Sequence, residues 1–589
     1  MMELKRILIC IYLLAIIPSI AIAQDKIANK GLPSSKIDPI PNPTGFPKSP
    51  TLRPSVFLEE MNQDWSDEAN ISIPEPQCAY VNIKGTNRLP DFKGDTLHCW
   101  MEVYDGDGNY FCKRVILDAQ GNSSLMYPKK SMKVDFCDDE WLGDHTPKIS
   151  IGNWVAQDGF HLIAYYNDYL RGVAVVGYKL YELMVEDVGL PWTRSNGLAK
   201  NEPKALCHPD GFPCIVYLDD EFYGVFSWQL KKHRANMAQK KDNPRHIHLD
   251  GKISNTTFWN GTIDWNAFDV RNPKEMSEET KECIISLSRV CNDLQQIIVK
   301  EQNDEKLRAE FARRFDVQSL LDYACLHYLI ANVDGFGKNW QWFTYDGIKW
   351  FVAPYNLDLT FGNSVNGETL NPADRTGVDY TWALYTEGPI YWLSVYYKNE
   401  IRNRYCQLRR NGIINNVTVK TLVHDWYERI GERNYSEEWN RWSDSKCIHE
   451  PEYAWCWKPL DIWKNYHKLS DWNSTTEYKK GDICRLNLCE WEATEDNVGV
   501  KPYVSLGYVD SMERLEEWID RRFELIDSYF GYVDYVGIGK YASNERSTER
   551  WTNGKEIIYD IHGNRLNGLV KGVNIIVGED GKARKVLVK

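Results

Sequence analysis

Asp334, Asn339 and Asp358 are the residues whose types and spacing suit chemistry. Asp334 and Asn339 stand five apart, and Asp358 closes the run Asn356-Leu357-Asp358. Carboxylate and amide oxygens suit a hard divalent cation such as magnesium, which keeps other positions for water and phosphate. A second carboxylate beside them can take the proton of a hydroxyl. The same residue types have other uses. An aspartate after a helix caps or turns the chain, and paired carboxylates cleave glycosidic bonds when their separation is right.

What brings the three together is a hairpin. Asp346-Gly347 sits between two runs of aromatic and β-branched residues, a strong local signal for a tight turn. With Asp346 and Gly347 as the two loop residues, Tyr345 lies opposite Ile348 and Asn339 opposite Pro354. The loop holding Asp334 and Asn339 then meets residues 356–358 at the open end. Upstream, 80–83, 97–104 and 115–117 alternate apolar with polar residues and predict a β meander, while 168–185 predicts a helix. A strand pair follows at 214–218 and 223–226, then helices at 283–300 and 314–331. Strands first and helices later predict an α+β domain.

In protein kinases a catalytic-loop Asp precedes a metal-binding Asn by five residues, and a later Asp beside Phe-Gly holds the nucleotide's metal. Asp334, Asn339 and Asp358, the last followed by Phe361-Gly362, fit that order. Residues 332–339 with 349–362 resemble the signature of the CotH family of atypical kinases. So do Gly121-Asn122-Ser123-Ser124 with Lys129 to Lys133, Asn167-Asp168 with Arg171, and the late helix 514–530. The resemblance implies a divergent kinase-like fold over roughly 78–532. It also implies transfer of phosphate from ATP, with Mg, to Ser or Thr of an exported protein acceptor. Carried over by position, Asp334 orients the acceptor hydroxyl, Asn339 and Asp358 hold the metal, and Lys130 or Lys133 contacts the nucleotide. Strand parity puts Ser131 and Lys133 on one face and Lys130 with Met132 on the other. Three positions depart from the family's habit: Asn356 replaces an Asp, Gln120 an Arg, and Trp228 an acidic residue.

The first 23 residues have a charged start, an apolar run and Ala21-Ile22-Ala23, the order of a secretory signal peptide, and no other stretch is apolar enough to span a membrane. An exported chain follows, ending in the periplasm, at the cell surface or in the medium. Residues 24–75 read as a Pro-rich linker, 76–465 as the main kinase-like domain and 506–532 as its last helix. Residues 466–505 resemble small β modules that bind chitin and related polysaccharides, with Trp472, Tyr478 and Trp491 as candidate platform residues. So small a unit also needs aromatics for its own core. Residues 550–589 resemble the C-terminal sorting domains of type IX secretion. A net charge of -13 argues against a nucleic acid partner. Losing Cys10 with the leader leaves 14 of the 15 cysteines, and Cys207–Cys214 and Cys484–Cys489 are candidate bridges. The competing functional reading is a non-catalytic surface protein that holds polysaccharide on a kinase-like scaffold.

Overall fold

The computed structural model describes residues 63–533, except 122, 138–146, 192–203, 252–256, 333–334, 336–338, 364–387, 443–451, 454–455, 461–468, 487–488, 503 and 506–511, and four strands between 557 and 588. The expected leader, most of the expected linker and Asp334 lie outside the described residues.

Seven strands close a barrel: β1 (Ala79–Lys84), β2 (Leu97–Tyr104), β3 (Asn109–Gln120), β4 (Ser131–Cys137), β5 (Gly159–Ile163), β6 (Gly211–Leu218) and β7 (Glu221–Leu230). Their order is β3-β2-β1-β6-β7-β5-β4, and β4 returns to pair with β3. Closure depends on the length of β3, which pairs along its whole upper half with Ser131–Cys137 while also pairing with β2. Only β1 and β6 run parallel. Alternation decides what faces inward. On β4, Met132, Val134 and Phe136 enter the barrel core with Met101, Phe160 and Trp228, while Ser131, Lys133 and Asp135 take the opposite parity.

The expected linker is folded at its C-terminal end, since Asn70–Ile73 pairs in parallel with Lys148–Ile151 and buries Ile71 and Ile73. After β5 the helix α1 (Val173–Val188) starts five residues later than its periodicity suggests. Asp168 is why: its carboxylate accepts the backbone N–H groups of Leu170, Gly172 and Val173 at 2.7–2.9 Å, tying off a turn before the helix. Gly172 belongs there because a Cβ would lie 2.0 Å from the Trp426 ring.

A second antiparallel sheet contains β8 (Ile247–Gly251), β9 (Phe268–Asn272), β10 (Trp340–Thr344) and β11 (Trp350–Pro354), in the order β9-β8-β10-β11. The β10–β11 hairpin forms, with a register one step from the expected one. Thr344 faces Trp350 and Trp340 faces Pro354, so Asn339 lies just outside the ladder. The loop is wider than two residues because Asp346 Oδ1 accepts from the N–H groups of both Ile348 and Lys349, a side-chain turn that replaces the tight one. Around this sheet pack α2 (Glu278–Gln296), α3 (Asp304–Arg314), α4 (Val317–Ile330), α5 (Pro389–Tyr396) and α6 (Lys398–Arg410), while α7 (Asn416–Ile430) and α8 (Glu432–Arg441) pack on the barrel strands β6 and β7, and α9 (Met512–Phe530) follows later in the chain. The described chain thus mixes helices with several sheets. None of its helices is long and apolar enough to cross a membrane.

Between α8 and α9 lie short strands around a cluster containing Cys456, Trp457, Tyr478, Cys484 and Trp491. The residues of the expected glycan platform lie in or against this cluster. Tyr478 and Trp491 are 6% and 3% exposed, and half-buried Trp472 packs on the same cluster. A unit this small spends its aromatics on its own core. The two candidate disulfides are not formed: none of Cys207, Cys214 and Cys484 is disulfide-bonded. Cys207 turns its sulfur towards the Tyr345 hydroxyl at 3.6 Å, whereas Cys214 points into the barrel, so the two belong to different cores.

Residues 527–589 make a separate compact unit. Its sheet contains Ile557–Tyr559, Arg565–Leu566, Gly572–Val577 and Ala583–Val588, all antiparallel.

Candidate functional site

A cleft of about 480 Å³ lies where the barrel's outer face meets the second sheet. The barrel side contributes Gln120, Gly121 and Ser124 from the turn after β3, then Lys129 and Ser131, with Tyr165, Tyr166 and Asn167 after β5. Across from them stand Asn339, Asn356 and Asp358 from the open end of the hairpin. The hairpin therefore brings Asn339 and Asp358 into one cavity, although by a shifted register.

Two of these positions depend on an unusual backbone. Asn339 and Asn356 have φ of 58° and 55°, in the left-handed region where Asn is among the few favourable non-glycine residues. Asn356 thus suits its backbone. Its N–H donates to the Tyr178 hydroxyl at 3.2 Å. Burial, with the nearby Asp358 carboxylate, pushes the Tyr178 hydroxyl well above its ordinary value and keeps it protonated.

The turn before β10 is bolted to α4. Gly335 donates its N–H to Asn332 Oδ1 at 3.2 Å, and its carbonyl accepts from the Tyr323 hydroxyl. His327 stacks on Tyr323 at 3.8 Å, and a Cβ on Gly335 would come within 2.0 Å of the His327 ring. Glycine is the only residue that fits there. Arg522 of α9, buried beneath α4, donates to the Tyr328 and Leu329 carbonyls, which a helix end leaves without intrahelical donors. Residue 334 follows from this braced segment but is itself among the undescribed ones.

Of the three neighbouring lysines 129, 130 and 133, the one that lines the cleft is Lys129. Lys130 turns away, donating to the Leu125 and Tyr127 carbonyls at 2.6 Å and lying 3.4 Å from Asp91. Lys133 shares Ser131's parity, as expected, but pairs with Asp135 at 2.5 Å, further along the strand.

Lys129 Nζ meets Glu438 Oε1 at 2.7 Å, and both side chains are fully buried. It also donates to the Val225 carbonyl and, at 3.4 Å, to that of Ala164. Glu438, on α8, accepts from Arg171 Nε and from the Val225 N–H, each at 2.7 Å. Burial alone would raise the Glu438 carboxyl, but Lys129 and Arg171 outweigh it and hold it below the usual carboxylate range. For Lys129 burial dominates: it draws the ammonium down to about 7, with Glu438 opposing the fall and Arg171 adding to it. Lys129 is therefore close to losing its charge at neutral pH.

Trp228 does not face this site. Its ring is in the barrel core, stacked with Phe212 at 5.7 Å, and the adjacent Gln229 faces the cleft. Substitution at 228 thus leaves the cleft's donors untouched.

Asn339 and Asp358 thus offer oxygen donors in the same cleft that Lys129 lines, with Glu438 holding the lysine from behind. The family model described as CotH kinase protein matches residues 117–525, most of the chain, and the chain belongs to that family. Among the curated proteins none matches.

Proposed function

We propose that the chain is a kinase-like phosphotransferase that moves a phosphate from ATP, with Mg, to a Ser or Thr hydroxyl of an exported protein. The observation that carries this reading is the buried Lys129, paired with Glu438 and lining the same cleft as Asn339 and Asp358. In protein kinases a lysine held by a glutamate from a separate helix contacts the nucleotide phosphates, opposite the Asp and Asn that hold magnesium. The barrel would be the nucleotide-side lobe of a divergent kinase-like fold, and α8 would supply the glutamate.

Asn339 and Asp358 fit magnesium by donor type, both offering oxygen on one cavity wall. Bound there, the ion would neutralise charge on the transferring phosphate. Lys129 would orient the donor phosphates, its weak third contact, to Ala164, being the one it exchanges for a phosphate oxygen. Asp334 would orient the acceptor hydroxyl from the segment that Gly335 and Tyr323 brace. The leader-like start supports export, and burial of Tyr478 and Trp491 weakens the polysaccharide-holder reading.

The test is thermal stability of the mature chain with ATP and magnesium, beside Asp358→Ala. A ligand bound only by the folded state raises its melting point. A magnesium-dependent rise that the variant lacks is the expected result. No rise at millimolar nucleotide would exclude ATP as the ligand.

A further inference from the structure

One wall of the cleft carries a charged cluster that phosphate transfer, as described, leaves unused. Asp250, on β8, has a side chain only 3% exposed. Lys232 Nζ reaches its two oxygens at 2.6 and 2.7 Å, and Arg271 Nε and Nη2 reach Oδ2 at 3.0 and 2.7 Å. A carboxylate offers about four acceptor sites. With three donor nitrogens on it, Asp250 is engaged by both cations. What it does is hold two cations side by side.

Those cations face the ligand space. Lys232, Arg271 and the intervening Tyr355 all line the cleft, and Tyr355 is three residues from Asp358. The Lys232 ammonium lies 3.7 Å above the Tyr355 ring. Arg271 also meets Asp269 at 3.1 Å, but both side chains are over one-third exposed, which weakens that pair. The Nη1 edge of Arg271 has no protein partner among the described residues. A single buried carboxylate does not neutralise two cations, and a purely structural ion cluster is seldom more stable than apolar packing of the same size. The arrangement costs stability in the empty cleft and supplies preorganised donors to an anion.

We propose that Lys232 and Arg271, positioned by Asp250, form an anion subsite of the cleft that takes a phosphate or carboxylate group. The group belongs either to the nucleotide or to an acidic or phosphorylated side chain of the acceptor. The subsite shares the cleft of the proposed kinase site, yet its anion binding does not require phosphate transfer.

The test is calorimetric titration of the mature chain with magnesium pyrophosphate, Mg·ATP, adenosine, and two serine peptides flanked by Glu or by Gln. The principal variant is Arg271→Gln, which leaves Lys232 to neutralise Asp250, and Lys232→Arg keeps the charge. Melting points confirm that both fold. If the anion is the nucleotide's, Arg271→Gln weakens ATP and pyrophosphate about tenfold or more and leaves adenosine unchanged, while Lys232→Arg retains binding. If it is the acceptor's, ATP is unchanged and the preference for the Glu peptide disappears. Pyrophosphate binding without ATP binding would keep the subsite and refute the kinase reading. Unaltered affinity for every probe, or no binding of any anionic probe to the native chain, would overturn the subsite, even where ATP transfer is intact.

Discussion

Replacing Glu438 by Gln should destabilise the protein more than removing the lysine it holds. Lys129, Arg171 and Glu438 all have fully buried side chains, and the glutamate pairs with both cations. Removing one partner of such a pair costs about 3–5 kcal/mol, because the other charge stays buried without compensation. Lys129 has an escape, since losing its proton at neutral pH from a free-chain value near 10.5 costs about 5 kcal/mol at most. Arg171 has none, as guanidinium does not deprotonate. The loss should therefore reach the upper part of that range. With an unfolding entropy of about 2.1 cal/mol/K per residue, a cooperative unit of roughly 450 residues loses about one degree per kcal/mol. Differential scanning calorimetry at pH 7 should show Glu438→Gln melting about 4–5 °C lower. Lys129→Met, which leaves Arg171 paired with Glu438, should fall by less. A Glu438→Gln variant within one degree of the native chain, or a larger loss for Lys129→Met, would refute the ion-trio argument.

Because burial draws Lys129 down to about 7, nucleotide affinity should fall as pH rises from 6 to 8.5 and its positive charge is lost; titration calorimetry should show the fall, flattened in Lys129→Arg. The same group has the opposite sign for stability. Between about 7 and 10.5 the unfolded chain binds the extra proton, so the Lys129 contribution to stability rises with pH across that window. Gly335→Ala should abolish phosphate transfer with little loss of nucleotide binding, because the added Cβ meets His327 and displaces the segment before β10; single-turnover assays beside ATP titration separate the two. Trp491→Ala should unfold the small β unit, at about 3–5 kcal/mol for a buried Trp, and leave retention on a chitin column unchanged. Selective loss of retention with the unit still folded would restore the platform reading. Asp168→Ala removes an acceptor for three backbone N–H groups and should cost about 1–2 kcal/mol, read as a lower denaturant midpoint.

Family membership was legible in the sequence because its motifs lie in short, contiguous segments. The meander, the strand pair at 211–230, the paired strands around Asp346-Gly347 and the helix before residue 331 were also legible there. These features depend on period, parity and turn chemistry, which residues close in the chain decide among themselves. Asn339 and Asp358 come together through one hairpin, so their meeting required no distant partner. Even there, the one-step shift came from a side chain, Asp346, capturing two backbone N–H groups that a turn motif alone does not reveal.

Other features required the folded chain. Lys129 and Glu438 are 309 residues apart, and which of three neighbouring lysines is buried depends on where α8 lands against the barrel. Barrel closure through β3 and β4 placed Trp228 inside and Gln229 outside, a choice that sequence similarity at that position did not make. Tyr478 and Trp491 had the composition of a sugar platform, but burial is a property of the surrounding surface rather than of the residue. Asp250 with Lys232 and Arg271 had no motif at all, because its three members come from separate segments and are joined only by charge. Local chemistry wrote the elements into the sequence; desolvation and long-range pairing, which exist only once the chain closes, decided which side chains share the cleft.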